Sequence, residues 1–316
     1  MTDSPSANRP RSIIERSGIV IVDKPAGMTS HDVVAKLRRT MGTRRVGHSG
    51  TLDPMATGVL VVGVERGTKF LAHVVSHDKR YDATVCLGRA TVTDDHEGEV
   101  LSTASPEQVR ELTEERIRQA FDAQRGEIMQ RPSSVSSIKV DGRRAHELVR
   151  EGKEVVLPER PVTVHSMEVH SVSCVDATAQ APAHWELDIS VHCSSGTYIR
   201  SIARDVGDSL GVGGHLVALR RTSVGPFDLS MARTLDELKD DPSLSMHLDE
   251  AMVHCFPTRE ITADQGTALS LGKWLSPVGI QEVHAAVTPD GKAIALLHEN
   301  GKRAASVFVA RPDGLS

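Results

Sequence analysis

The sequence predicts an α+β fold: a mixed, largely antiparallel central sheet flanked by helices, followed by a small C-terminal β-rich domain. Three observations carry this. Short apolar runs bounded by turn residues recur in the first ninety positions, two long alternating stretches fall between residues 162 and 193, and the last sixty residues are dense in short strand patterns with hairpin turns. A chain of 316 residues can bury one large core and a smaller one. The expected division is a disordered polar tail over 1–12, a main domain over 13–250 and a small domain over 251–316.

Each element follows from local pattern. Ile19–Val22 is a strand that enters a tight turn at Asp23-Lys24-Pro25-Ala26-Gly27. Ser30 is the expected N-cap of a helix over 31–41, where Val33, Val34, Leu37 and Met41 recur at helical spacing and Gly42 follows. Val59–Val62 is a buried strand, and Phe70, Leu71, Val74 and Val75 mark a short helix after it. Lys79–Leu87 alternates as a strand and leads to the acidic loop Asp94-Asp95-His96-Glu97-Gly98. That loop lacks partner ligands at metal-binding spacing and is expected to be solvated, with no metal bound.

Glu107–Ala123 is helical, with Thr113 as an internal cap that makes it one broken helix or two. The serine-rich, basic segment around 127–155 is expected to form a mobile arm that orders on a ligand, an ordinary surface loop being the alternative. Val162–Val175 and Trp185–Cys193 are antiparallel neighbours. A helix follows on the stripe Ile199, Ile202, Ala203, Val206 and Leu210, with Tyr198 and Arg200 in its first turn. Leu216–Val224 is a further strand. In the tail, Ala285–Val287, Ala293–Leu297 and Val307–Ala310 are strands joined at Asp290-Gly291 and Asn300-Gly301.

Composition narrows the function class. With 39% hydrophobic but only 3% aromatic residues the core must be aliphatic, so each aromatic side chain is informative. Cys86, Cys174, Cys193 and Cys255 are widely spaced, which argues against a disulfide framework or a zinc knuckle and fits a reducing cytoplasm. No apolar run approaches the length of a membrane span. The net charge of −5 conceals segregation: Arg9–Arg80 carries 13 Lys/Arg against 6 Asp/Glu, whereas Asp82–Asp122 carries 4 against 10. Lys36, Arg38, Arg39, Arg44 and Arg45 suit phosphate contacts, although a solvated helix face has the same composition.

Directly after that basic run comes Gly47-His48-Ser49-Gly50-Thr51-Leu52-Asp53-Pro54-Met55-Ala56-Thr57-Gly58, read as one turn-prone segment. Glycine permits close backbone approach, and Pro54 pushes Asp53 away from α geometry, so a single carboxylate is presented on a shaped loop. An ordinary Asp-Pro turn is the competing reading.

Four motifs, in order, decide between them. Ile21–Ser30, the Gly47–Gly58 segment, Lys79-Arg80-Tyr81 and Cys193–Arg200 resemble the TruB family of tRNA pseudouridine synthases, and the likeness runs from about Gly18 to Phe227, including Leu219-Arg220-Arg221. The resemblance implies the pseudouridine synthase fold and isomerisation of uridine to pseudouridine at position 55 of the tRNA T-loop, with no metal or organic cofactor. It further implies that Asp53 is the essential catalytic carboxylate. Tyr81 would stack on the flipped uracil, His48 would support the flipped-out RNA, and Tyr198 and Leu219 would line the base pocket. Arg200 would hold the carboxylate, and Lys24 would either contact phosphate or brace the loop. The expected partner is the T-stem and loop of tRNA, bound by a monomer. A PUA-like RNA-binding module is implied for the tail, whose short strands are compatible with a divergent one. A tRNA-folding chaperone without essential catalysis is the alternative function.

Overall fold

The computed structural model describes residues 12–314 except Ser137, Asp141, Gly152, Glu154 and Gln180; all but the last residue of the expected N-terminal tail thus lies outside the described residues. The chain begins with β1 (Gly18–Lys24), α1 (Ser30–Thr40), β2 (Val46–Ser49), β3 (Thr57–Val64), α2 (Gly67–Val74) and β4 (Lys79–Leu87). A peripheral section follows, with the hairpin β5 (Arg89–Thr91) and β6 (Val100–Thr103), helices α3 (Pro106–Glu111) and α4 (Glu114–Asp122), and β7 (Gly126–Gln130). It ends in a short hairpin, β8 (Lys139–Val140) and β9 (Arg143–Arg144), and α5 (Ala145–Arg150). The chain then re-enters the sheet through β10 (Arg160–Val175), β11 (His184–Cys193), α6 (Ile199–Ser209) and β12 (Gly214–Val224). It continues with β13 (Phe227–Asp228), α7 (Leu235–Asp240), β14 (Met246–His247) and α8 (Leu248–Cys255). The last part comprises β15 (Thr258–Glu260), α9 (Ala263–Ser270), β16 (His284–Val287), β17 (Ala293–Asn300) and β18 (Arg303–Val309).

The main sheet runs β14-β1-β3-β12-β4-β11-β10-β7, with β2 paired on β3 and β13 on β12. Its pairings are antiparallel except β3 with β12, where Arg220 lies opposite Thr57 and Arg221 opposite Gly58. At this junction Gly58 has φ +99°, and a Cβ there would stand 2.2 Å from the Arg221 carbonyl oxygen. Only glycine lets the two backbones meet so closely.

Burial explains the strand patterns. Val20, Val22, Leu60 and Val62 face one core cluster that includes α1 and α6 residues. Ile19, Ile21, Val59 and Val61 face a second, formed with Phe70 of α2, Leu248 of α8 and Leu296 and Phe308 of the C-terminal sheet. Strands covered on both sides read as unbroken apolar runs. In β11, by contrast, Leu187, Ile189, Val191 and Cys193 are buried while Glu186, Asp188, Ser190 and His192 are not, so the opposite face of the sheet is open at this end. The C-terminal sheet, ordered β15-β16-β17-β18, packs on the main sheet through the second cluster.

Two local expectations change, and one left open is decided. Thr29, not Ser30, caps α1: its side chain accepts from the Asp32 N–H in a capping box, and Ser30 is the first helical residue. Val46–Ser49 is a strand paired with β3 rather than part of a turn, so the loop proper spans only residues 50–56. The broken-helix region resolves into α3 and α4, with the Thr113 side chain capping the second. The serine-rich segment supplies the edge strand β7, which pairs with β10, and the small hairpin and helix beyond it.

Candidate active site

The loop carrying Asp53 connects two adjacent antiparallel strands and is braced from below. Ser30 Oγ donates to the Leu52 carbonyl at 3.1 Å and accepts from the Leu52 N–H at 2.9 Å. Lys24 Nζ donates to the carbonyls of Pro25 and Pro54 at 2.7 and 3.2 Å, and the Gly27 N–H reaches the same Pro54 oxygen at 2.9 Å. Lys24 is fully buried, and burial lowers its pKa to about 8 against the attraction of Asp53. Of the two roles open to Lys24 from sequence, the contacts present are those of a brace. With Leu52 buried and tied to the start of α1, and Pro54 held by Lys24 and Gly27 ahead of that helix, the Asp53 side chain is about one third exposed.

Arg200 meets it from the opposite wall. The start of α6 is fixed by Gln130 of β7, whose side-chain amide accepts from the Tyr198 N–H at 2.8 Å and donates to the Tyr198 carbonyl at 3.0 Å. From the first turn, Arg200 Nη2 donates to Asp53 Oδ1 at 3.2 Å, and Nε lies 3.0 Å from Oδ2. The rest of the guanidinium is occupied as well: Nη1 donates to the Thr93 carbonyl at 2.7 Å and sits 3.4 Å from Asp95 Oδ2, and Nη2 also donates to the Val135 carbonyl at 3.0 Å. The planar fork is therefore fixed on several sides, and the Arg200 and Asp95 side chains are each only 4% exposed.

The acidic loop is not solvated as expected. Asp95 and Asp94 are buried, the first against Arg200 and the second 3.2 Å from Arg204 of the same helix. Thr93 Oγ1 and the Glu97 N–H donate to the other Asp95 oxygen, so both of its oxygens are committed. This is an arginine cradle rather than a metal loop, because each carboxylate already has a guanidinium partner.

Between Asp53 and the end of β11 lies a cavity of about 260 Å³ whose walls include Tyr81, Tyr198, Leu219 and Arg221. Such a volume suits one flat group rather than an extended ligand. Burial raises the pKa of the Tyr81 hydroxyl and, less completely enclosed, that of Tyr198. Arg221, 1% exposed, stands beside Tyr81 across β12 and β4. Its Nε donates to the Val59 carbonyl at 2.8 Å and Nη2 to the Gly50 carbonyl at 2.9 Å, which ties the start of the loop to β3. Lys79 also lines the cavity, its Nζ donating to the carbonyls of Val75 and His77, and burial lowers its pKa to about 8.

Five of the seven residues singled out from sequence thus meet in one place: Asp53, Tyr81, Tyr198, Arg200 and Leu219. His48 does not line this cavity; it lies in β2 with its ring edge-on to His31, centroids 5.4 Å apart. The basic side chains Lys36, Arg38, Arg39, Arg44 and Arg45 are all exposed along the end of α1 and the entry to β2. Asp95, Gln130, Lys79 and Arg221 are additional members of the site. Lys79 and Arg221 had a local signal, in Lys79-Arg80-Tyr81 and Leu219-Arg220-Arg221, and register decides between the two arginines of the latter: Arg220 turns outward to Asp23 at 2.8 Å.

Comparison with known proteins gives the family. Residues 38–199 match the model of the TruB family pseudouridylate synthase N-terminal domain, residues 200–256 the tRNA pseudouridylate synthase B C-terminal domain, and residues 256–311 the C-terminal model of tRNA pseudouridine synthase II. The chain is 72% identical over 305 residues to tRNA pseudouridine synthase B of Corynebacterium jeikeium, covering 96% of this chain and 98% of that protein. It is 59% identical over 302 residues to the protein of that name from Corynebacterium efficiens, covering 96% and 99%. A solved H/ACA ribonucleoprotein bound to a substrate RNA containing 2'-deoxyuridine has a chain of the same fold. Its TM-score is 0.68 at 23% identity, covering 96% of this chain and 87% of that one.

Proposed function

The chain belongs to the TruB family of pseudouridylate synthases, and from that premise we propose that it isomerises uridine 55 in the T-loop of tRNA with Asp53 as the catalytic carboxylate. The observation that carries the proposal is the two-point pairing of Asp53 with buried Arg200 at the mouth of a base-sized, aromatic-walled cavity.

The reaction breaks the bond between uracil N1 and the ribose C1', turns the base, and rejoins C1' to C5. The C5 proton is released and N1 gains a proton, so the product is an isomer. Reaching C1' requires the nucleotide to leave its stack. The face of Tyr81 offers a platform for the extruded base, with Leu219 and Tyr198 confining it while it is detached. Asp53 acts as a nucleophile at sugar or base, or as a base toward a sugar proton; each route needs an anion held in one orientation, which the Arg200 fork supplies. The exposed basic run from Lys36 to Arg45 would contact the phosphate backbone, and His48, on the strand just before the loop, would support the displaced RNA. The enzyme works as a cytoplasmic monomer on the T-stem and loop, residues 13–250 carrying the chemistry and 251–316 adding RNA contacts.

Tritium release from C5-labelled uridine in a tRNA transcript tests this. The parent chain releases tritium, Asp53→Asn does not while still binding tRNA, and a transcript with cytidine at position 55 gives no release. Turnover by Asp53→Asn at the parent rate would overturn the catalytic assignment. A parent that binds tRNA without turnover would favour the chaperone reading.

A further inference from the structure

On the open face of the sheet, away from the cavity, the fold brings together Asp78, His165 and His192 from three different parts of the chain. Asp78 precedes β4, His165 lies near the start of β10 and His192 near the end of β11. Their ligand atoms all lie within 4.8 Å of one another. One carboxylate oxygen, Asp78 Oδ2, is 3.1 Å from His165 Nε2 and 3.6 Å from His192 Nε2. Donors held about 2.0–2.2 Å from a tetrahedral ion lie roughly 3.3 Å apart, and these two separations straddle that value.

The backbone contributes to the arrangement. The β10–β11 ladder steps irregularly between Val164 and Ser166, so that His165 is the residue left out of the pairing. His165 follows core-facing Val164 and so falls on the open face, where its ring lies beside His192, centroids 4.8 Å apart. All three residues are partly exposed, leaving solvent access for further ligands. The His192 pKa is lowered by partial desolvation, by the Arg80 cation opposite it on β4 and by His165, which favours the neutral imidazole that a metal requires.

We propose that Asp78, His165 and His192 form a binding site for a divalent transition-metal ion of the zinc type, with two imidazole nitrogens and one carboxylate oxygen as protein ligands and water completing the shell. Two imidazoles select against magnesium and calcium, which prefer all-oxygen shells. Bound metal would fasten the entry of β4 to the β10–β11 hairpin, one residue before Lys79 at the cavity wall. The inference stands apart from the isomerase reading and needs no change in it.

The test uses the full-length chain without an affinity tag, freed of metal by chelator and titrated with Zn²⁺ by calorimetry, and with Co²⁺ followed by visible absorption. The expected result is one Zn²⁺ per chain, a Co²⁺ spectrum of low coordination number displaced by Zn²⁺, and a rise in the unfolding midpoint with added Zn²⁺. His165→Gln, His192→Gln and Asp78→Asn should each weaken binding on the order of 100-fold, at or beyond the loss seen when a supporting partner of a metal ligand is removed. The metal-free midpoints of these surface variants show that they fold. No saturable binding by the parent chain below roughly 100-fold excess Zn²⁺, or parent affinity retained in all three folded variants, would overturn the site.

Discussion

Arg200 holds Asp53 at two points, Nη2 to Oδ1 at 3.2 Å and Nε to Oδ2 at 3.0 Å, while its third nitrogen is held by Thr93 and Asp95. The guanidinium is thus a fixed part connecting the loop of residues 50–56 to the acidic turn after β5. Lysine cannot reproduce this, having one charged point in place of a fork. Arg200→Lys should lower kcat on the order of 100-fold, and leaving the Val135 and Thr93 carbonyls without a donor should cost about 1–3 kcal/mol of stability. Single-turnover tritium release and urea unfolding measure the two effects. Parent-like kcat in the variant would show that orientation of Asp53 is not limiting.

Tyr81 lines the same cavity as this pair, and its ring is the proposed stacking platform for the base. Tyr81→Leu should weaken binding of the T-loop by about 1–3 kcal/mol, the usual worth of a base stacked on an aromatic side chain. Tyr81→Phe retains the ring and should bind as the parent does, so its turnover isolates the part played by the hydroxyl. Equal tRNA affinity for the Leu variant and the parent would rule out stacking.

Gly58 permits the parallel pairing of β3 with β12, with φ +99° and no room for a Cβ beside the Arg221 carbonyl. Gly58→Ala should destabilise the chain by about 3 kcal/mol or more, combining left-handed strain with a backbone collision. Because Arg221 also fixes Gly50, tRNA turnover should fall even at temperatures where the variant is folded. A melting point within a degree or two of the parent would contradict the close approach.

Lys24 gives a pH signature. Its pKa is lowered by burial from 10.5 to about 8 in the folded chain. Between these values the unfolded state binds the extra proton, so this residue makes stability rise with pH from about 8 to 10.5. Lys24→Met removes that contribution. The stability of the parent relative to the variant should therefore climb across this window, by at most about 1.4 kcal/mol per pH unit. Buried Cys193 and Cys255, whose pKa values burial pushes up to about 11 and about 12, act in the opposite sense but cancel in the comparison. A difference that stays flat from pH 7 to 10 would show that the lysine titrates normally.

Strands such as β4 and β11 and the helix α6 were legible because their periodicity is a local record of one buried face. The cap of α1 was misassigned by one residue because Thr29 and Ser30 are equally good capping types. What separates them is that Ser30 is drawn inward to bond Leu52, a contact 22 residues away. The acidic loop appeared solvated for the same reason: its arginine partners lie more than 100 residues further along the chain.

The sequence by itself determined the fold class and the family and marked Asp53 as the candidate acid, because glycine, proline and aromatic residues at fixed spacings constrain backbone and chemistry locally. Only the tertiary structure decided how each charge is used. Lys24 turned inward to become a brace, Arg221 rather than Arg220 entered the wall, and Asp95 became the counterweight to the Asp53–Arg200 pair. These choices depend on strand register and on which side chains lose their water together, and long-range packing sets both.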